Sequence, residues 1–163
     1  MMVLAIDPGS KESAYVCFNS FNEHILDADL VPNDVMLSMC HDHTAGQFLA
    51  IESIEGFGMT AGQELFDTCW WSGRFCQAFL KWPKSGQNMP KFQRIGRKAI
   101  KTHLCGCTTA KDKDIREALI YRFGEPGIKS KPGKLYGISG HCWSALAVAV
   151  VFSDSLKITT KTK

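Results

Sequence analysis

Short apolar runs alternate with turn signals over the first third of the chain. Residues 3–6 form an apolar run that ends at Asp7 before a Pro-Gly pair, and residues 13–18 are rich in β-forming residues. Residues 19–22 suit a hairpin connection, and residues 23–29 continue as a third extended segment. Three strands so close together along the chain predict an antiparallel meander at the start of the fold.

The rest of the chain combines further strands with helical segments. Residues 47–54 predict a buried strand interrupted by one charge, and a short strand is expected near Phe92. Residues 125–137 predict a basic, flexible loop, and the polar residues after 155 predict a frayed tail. The helical segments are residues 33–40, with Asn33 as cap, and residues 60–80, 96–104, 111–123, ended by Gly124, and 139–152.

The pattern as a whole predicts a single mixed α/β domain over residues 1–154, followed by a basic tail over 155–163. The segment 60–80 has an unusually wide apolar face, which suits either core packing or a dimer surface. Its predicted stripe consists of Leu65, Cys69, Gly73 and Cys76, with Phe66, Trp70 and Phe79 beside it.

Composition excludes several classes of protein. The 163 residues fit one domain, and 45% hydrophobic with 21% charged residues is typical of a globular chain rather than a disordered one. The longest apolar run, residues 145–152, is far short of the ~20 residues that cross a bilayer. The first residues lack the basic region of a signal peptide, so we expect a cytoplasmic protein without a membrane partner.

Charge is strongly segregated behind the net value of +3. Residues 1–80 carry two bases and eleven acids, whereas residues 81–134 carry fourteen bases and four acids. A basic segment on an otherwise acidic chain suits either a polyanion-binding surface or a solvated face that balances the acidic half.

Three polar residues stand out as candidates for chemistry. Asp7 ends the first strand, Glu52 interrupts an apolar strand, and His141 opens the last helical segment with Ser144 one turn later. A buried carboxylate is costly unless it is paired or ligates a metal, and such oxygen ligands suit Mg²⁺ or Mn²⁺. Taken singly, each residue also has a structural explanation, as a turn former, a lysine partner or a helix-start residue.

The sequence also resembles a known family. The runs LAIDPGS, IESI, KTHLCGCTTAKDKDIREALIYRFG and GISGHCWSALAVAV occur in the same order as in RuvC-like Holliday junction resolvases, and look closest to the bacteriophage branch. The resemblance implies an α/β, RNase H-like fold, in which helices flank a mixed sheet whose first three strands are antiparallel. It also implies a homodimer and Mg²⁺-dependent symmetrical nicking of DNA four-way junctions, in the host cytoplasm if the protein is phage-encoded.

The resemblance assigns site residues by position. Asp7 would bridge two Mg²⁺ ions, with Mn²⁺ as a possible substitute, Glu52 would be the second carboxylate, and His141 would be a third ligand. Ser144 stands where the family usually has a further aspartate, and its neutral hydroxyl is a poor metal ligand. The missing carboxylate is expected from Asp112 or Asp114, from Glu55 if the strand bends after Ile54, or from no residue, which leaves one metal site weak.

With this resemblance, the basic stretch becomes a candidate DNA surface. Phe57, between two glycines, is expected to stack on an unpaired base at the junction centre or simply to pack. The candidate phosphate contacts are Lys91, Arg94, Arg97, Lys98, Lys101, Lys111, Lys113, Arg116, Lys129, Lys131 and Lys134.

The expected activity is that of a crossover junction endodeoxyribonuclease, in which an activated water attacks a phosphodiester in line and leaves 5′-phosphate and 3′-hydroxyl ends. A second hypothesis keeps the nuclease and broadens its substrates to flaps, forks or RNA–DNA hybrids. A third is a non-catalytic or weakly catalytic protein that binds branched DNA, with Ser144 as its signature.

Overall fold

The computed structural model describes residues 1–42, 48–56, 58, 60–80 and 91–161. Phe57, the candidate stacking aromatic, lies outside the described residues. The strands are β1 (Met2–Asp7), β2 (Glu12–Asn19), β3 (His24–Pro32), β4 (Phe48–Ser53), β5 (Lys91–Gly96), β6 (Gly127–Ile128) and β7 (Lys131–Pro132). The helices are α1 (Asn33–Asp42), α2 (Gln63–Leu80), α3 (Arg97–Cys105), α4 (Asp112–Phe123) and α5 (Cys142–Lys161).

Five strands form one mixed sheet in the order β3-β2-β1-β4-β5. The pairs β1–β2 and β2–β3 are antiparallel, whereas β4 is parallel to β1 and β5 is parallel to β4. The mixed sheet and its antiparallel meander are therefore confirmed, as is a strand near Phe92. The two remaining strands, β6 and β7, pair with each other outside this sheet.

Helices cover both faces of the sheet, which is why its central strand is apolar at consecutive positions. Val3 and Ala5 belong to the core cluster that includes α5, whereas Leu4 and Ile6 belong to the cluster that includes residues of α1 and α2. All four side chains are fully buried. The result is a helix–sheet–helix sandwich with β1 and β4 at its centre.

A buried polar network holds the turn that follows β1. The backbone N–H of Gly9 donates to Ser13 Oγ (3.1 Å), and Ser13 Oγ donates to Asn33 Oδ1 (2.6 Å). Asn33 Nδ2 in turn donates to the Gly9 carbonyl (3.0 Å). The predicted capping role of Asn33 is therefore replaced by a tertiary one, because its side chain bonds the β1–β2 turn. A Cβ at Gly9 would overlap the Glu12 carbonyl, so this tight turn requires glycine.

The last predicted helix and one predicted loop differ from the observed structure. The last helix begins at Cys142 rather than at residue 139, and it continues to Lys161 where a frayed tail was expected. Leu156 packs against the core, which anchors this extension. The loop predicted over residues 125–137 contains the short β6–β7 ribbon. No helix within the described ranges is long and apolar enough to cross a membrane.

The buried face of α2 is not the predicted stripe. Its buried residues are Ser72, Phe75, Ala78 and Phe79. Cys69 and Gly73 are exposed instead, together with Phe66 and Trp70, whose exposed fractions are 59% and 60%. The apolar face is wider than the core can cover, so part of it remains on the surface. Arg74 lies over the rings of Trp70 and Trp71, with its guanidinium carbon 4.6 Å and 4.3 Å from their centroids.

The network behind the β1–β2 turn predicts a sizeable stability effect at one residue. Replacing Asn33→Ala leaves Ser13 and the Gly9 carbonyl without their buried partner, which should lower the free energy of unfolding by about 2 kcal/mol. Urea unfolding monitored by circular dichroism measures this change. The exposed turn residue provides a control, since Asn22→Ala should change stability by less than about 0.5 kcal/mol. Equal effects of the two substitutions would contradict the assigned role of Asn33.

Candidate active site

The parallel pairing of β1 and β4 brings two carboxylates to the same end of the sheet. Ile6 pairs with Ile51, so the next residues along the two strands are Asp7 and Glu52. Side chains alternate along a strand, which places Asp7 on the same face as Ala5, and Glu52 on the same face as Ala50. Both alanines belong to the cluster under α5, so the two carboxylates point toward the face that α5 covers.

Asp7 contacts the start of α5. Its Oδ2 lies 3.1 Å from His141 Nδ1, while its side chain is only 17% exposed. Burial raises the pKa of Asp7, although His141 and Arg97 act against the shift. The sequence-predicted pair of Asp7 and His141 is thus brought together, from residues 134 positions apart in the chain.

Glu52 is the most perturbed carboxylate of the site. Its side chain is 13% exposed, and burial is the largest cause that raises its pKa to about 7. The negative charges of Asp7 and Asp112 raise the pKa of Glu52 further, whereas Arg97 lowers it. A carboxyl group in this environment gains most from a nearby positive charge.

Arg97 supplies a positive charge directly at this position. It is the first residue of α3 and immediately follows β5, whose last pairing joins Gly96 to Ser53. Its Nη1 lies 3.4 Å and 3.3 Å from the two carboxylate oxygens of Glu52, and 3.4 Å from Ser144 Oγ. Its Nη2 donates to Asp112 Oδ1. The sequence predicted Arg97 as one of many phosphate contacts. In the structure its side chain is only 18% exposed and lies against the carboxylates of Glu52 and Asp112.

The two aspartates proposed as replacements for the missing carboxylate have different contacts. Asp112 is exposed at the start of α4 and reaches the cluster only through its ion pair with Arg97. Asp114 caps α4, since its Oδ2 accepts the backbone N–H of Lys111 (2.7 Å). Asp114 therefore has a structural role outside the cluster, and Asp112 is the member that contacts it.

Glu55 lines the candidate site, although strand alternation alone placed it on the opposite face. β4 ends at Ser53, so alternation does not extend to Glu55. Its carboxylate lies so close to Gly96 that a Cβ at Gly96 would overlap it. The cleft has a volume of about 270 Å³ and is lined by Asp7, Glu52, Ser53, Ile54, Glu55 and Arg97.

The donor chemistry of the cluster fits a hard divalent cation, although no ready ligand cage is present. Among the described residues, no three carboxylate, imidazole or thiol side chains form a metal-binding group. Asp7 and Glu52 nevertheless place two desolvated carboxylates on one wall of a cleft, and burial raises the pKa of both, so a nearby cation would stabilise their charged forms. Asp7, Glu52 and His141 are the residues that would hold such an ion.

Most of the predicted phosphate contacts lie on the surface. Arg94, on β5, donates from Nη2 to Ser53 Oγ (3.0 Å) at the cleft, and the guanidinium of Arg116 lies over the Trp143 ring at 4.8 Å. Lys101 is half-buried. The exposed bases are Lys91, Arg94, Lys98, Lys111, Lys113, Arg116, Lys129, Lys131 and Lys134. Their contact with DNA remains a prediction.

Solved structures share this fold. The chain is similar to Thermus thermophilus RuvC at 18% identity and a TM-score of 0.70, over 98% of each chain. It is also similar to T. thermophilus RuvC in complex with a Holliday junction substrate, at 16% identity and a TM-score of 0.72, over 98% of this chain and 97% of that one. The yeast mitochondrial Holliday junction resolvase Ydc2 gives 9% identity and a TM-score of 0.53, over 93% and 78%.

These similarities confirm the RNase H-like fold of the RuvC type that the sequence motifs implied. No protein-family model matches the sequence, and no curated protein matches it. The likeness is therefore one of fold, and the bacteriophage branch remains a prediction.

The pKa of Glu52 predicts an unusual dependence of stability on pH. Below about pH 4.5 the carboxyl is protonated in both the folded and unfolded states, whereas between that pH and about 7 only the folded state retains the proton. Stability is therefore lost as the pH rises from about 4.5 to about 7, and the loss is complete above the folded-state pKa. In EDTA at pH 8, Glu52→Gln should raise the Tm by about 3 °C or more, and the difference should vanish near pH 4.5.

Thermal unfolding across this pH range tests the prediction. The exposed Glu125→Gln variant is the matched control and should follow the native protein at every pH. A Glu52→Gln variant that is less stable than the native protein at pH 8 would contradict the destabilising burial of this carboxylate.

Proposed function

We propose that this protein is a divalent-metal-dependent endonuclease that nicks branched DNA, with the four-way junction as its principal substrate. The observation that carries the proposal is the pair of largely enclosed carboxylates, Asp7 and Glu52, held side by side at one sheet end beside His141. Desolvating two neighbouring acids is costly even though His141 and Arg97 offset part of the cost, and such costs are concentrated at functional sites. The RuvC-type fold presents this cluster at an open cleft.

The chemistry of phosphodiester hydrolysis suits these residues. A divalent cation, when bound, supplies the Lewis acid that lowers the pKa of a water molecule and stabilises charge on the phosphate. Asp7 and Glu52 would provide the oxygen ligands, and His141, which lies beside Asp7, would add an imidazole nitrogen. Arg97 presents a permanent positive charge to the same cleft, where negative charge develops on the phosphate during attack.

The distribution of charge supports a DNA substrate. The basic segment supplies β5, α3, α4 and the β6–β7 ribbon, and its exposed lysines and arginines can contact phosphates without reading sequence. Arg94 places one of these bases at the cleft itself. T. thermophilus RuvC, whose structure is similar to that of this chain, has been solved in complex with a Holliday junction substrate. Selectivity for a branched structure rather than linear duplex belongs to this proposal.

A homodimer belongs to the same proposal. Paired cuts across a junction need two active sites, and the exposed part of α2 offers an apolar surface that carries Phe66 and Trp70. Large exposed aromatic residues on one helix face are typical of subunit interfaces.

A second candidate function is supported by a specific observation. Arg97 is already bonded to Glu52, Asp112 and Ser144, so the cluster is partly neutralised without a metal. A protein with such a site could bind branched DNA and cut it weakly or not at all. Cleavage assays distinguish the two candidates.

Cleavage of a labelled immobile four-way junction is the direct test. Purified protein with Mg²⁺ or Mn²⁺ should nick the junction symmetrically, leave a matched linear duplex intact and lose activity in EDTA. Asp7→Asn should reduce nicking on the order of 1000-fold or more because it removes a charged ligand, while junction binding is retained. The exposed Asp29→Asn variant is a matched control that should cut normally.

The outcomes separate the candidates. Retained cutting by Asp7→Asn would refute the assigned site. Tight junction binding with no nicks in either metal would favour the binding protein. Equal rates on flaps, forks or RNA–DNA hybrids would favour a less selective nuclease.

The proposed dimer predicts that one exposed aromatic residue controls assembly. Trp70→Glu places a charge in the apolar surface of α2 and should weaken self-association by about 30-fold or more. Sedimentation velocity at micromolar concentration measures the change. Tyr121→Glu, on the exposed side of α4, is the control and should sediment like the native protein. A native protein that is already monomeric would contradict the dimer.

A further inference from the structure

The contacts in the candidate site divide its acidic residues into two groups. Asp7 contacts His141, whereas Glu52 and Asp112 both contact Arg97. One guanidinium therefore already lies against both oxygens of Glu52 and against Asp112. A second divalent ion shared by Glu52 and Asp112 would have to displace this side chain or lie directly against its positive charge.

We propose that Asp7, Glu52 and His141 would hold a single divalent cation, and that Arg97 is a fixed positive charge in place of a second ion. This inference rests on the proposed nuclease function and specifies its metal requirement. It replaces the two-ion arrangement that the family resemblance implied.

The position of Arg97 supports a permanent role. The residue follows β5 directly, and the pairing of Gly96 with Ser53 fixes the start of α3 beside the end of β4. The guanidinium stays charged at every physiological pH, and its planar fork can bond two carboxylates at once. Its side chain is mostly enclosed, which distinguishes it from the exposed bases of the same segment.

Ser144 makes a further contact with the same guanidinium. Its hydroxyl lies 3.4 Å from Arg97 Nη1 at the start of α5. A neutral hydroxyl accepts a hydrogen bond from the guanidinium and adds no negative charge with which a second cation could pair. The neutral Ser144 hydroxyl therefore suits the positively charged Arg97 guanidinium beside it. Changing both residues together should alter the number of ions that bind.

Counting bound Mn²⁺ tests this proposal independently of cleavage. Titration of the DNA-free protein with Mn²⁺, with free ion detected by electron paramagnetic resonance, should give one ion per chain for the native protein. Arg97→Met/Ser144→Asp should bind two ions, because it removes the fixed charge and adds a carboxylate. Arg94→Met, which changes the neighbouring arginine of β5, is the matched control and should still bind one ion.

Affinity and activity provide a second readout. Arg97→Met alone should bind the first Mn²⁺ about tenfold more tightly, because a positive charge next to Glu52 is lost. Its junction cleavage at saturating Mn²⁺ should nevertheless fall about 100-fold, since charge stabilisation on the phosphate is lost. Arg97→Lys should restore part of this activity. A merely structural role would instead lower metal affinity, activity and Tm together.

Each result has a distinct meaning. Two Mn²⁺ per native chain would overturn the role of Arg97 and leave the nuclease intact. No bound Mn²⁺ would overturn the metal-dependent nuclease itself. If the double variant does not fold, the native stoichiometry and the opposite changes in affinity and activity of Arg97→Met still decide the question.

Discussion

The parallel pairing of β1, β4 and β5 is the constraint on which the candidate site depends. Carboxyl ends of parallel strands meet at one edge of a sheet, and here those ends carry Asp7, Glu52 and Arg97. None of the three is close to another in the chain. The helix that covers this face then contributes Ser144 from its first turn, and His141 immediately precedes that helix. The contacts among the strand-end residues, His141 and Ser144 are thus set by sheet register and by the packing of α5, while Asp112 joins them from the start of α4.

Burial gives this cluster its chemical character. The same apolar packing that stabilises β1 and β4 removes water from Asp7 and Glu52, and burial is the first cause of the raised pKa of each. The positive charge of Arg97 and the contact of His141 with Asp7 offset part of the free-energy cost of burying these carboxylates. The negative charge that remains at the open cleft favours the binding of a cation there.

Local sequence patterns predict much of the fold and part of the candidate site. The runs that become β1 and β2 are apolar because both of their faces are buried, and Asp7 and Glu52 stand out as charges at the end of, or inside, such runs. The buried face of α2 could not be predicted, because apolar residues surround that helix and only tertiary packing selects Phe75 and Phe79 over Trp70.

Arg97 and Glu55, both named from the sequence, show why their places in the site could not be fixed from it. Arg97 is one of fourteen bases in its segment, and only the long-range pairing of β5 with β4 distinguishes it from Arg94 three residues earlier. Glu55 follows the last residue of β4, where the alternation rule no longer applies. A signal for Arg97 was nevertheless present, since a serine at position 144 leaves an acidic cluster that lacks a carboxylate. In such a cluster a nearby arginine can take a cation's place.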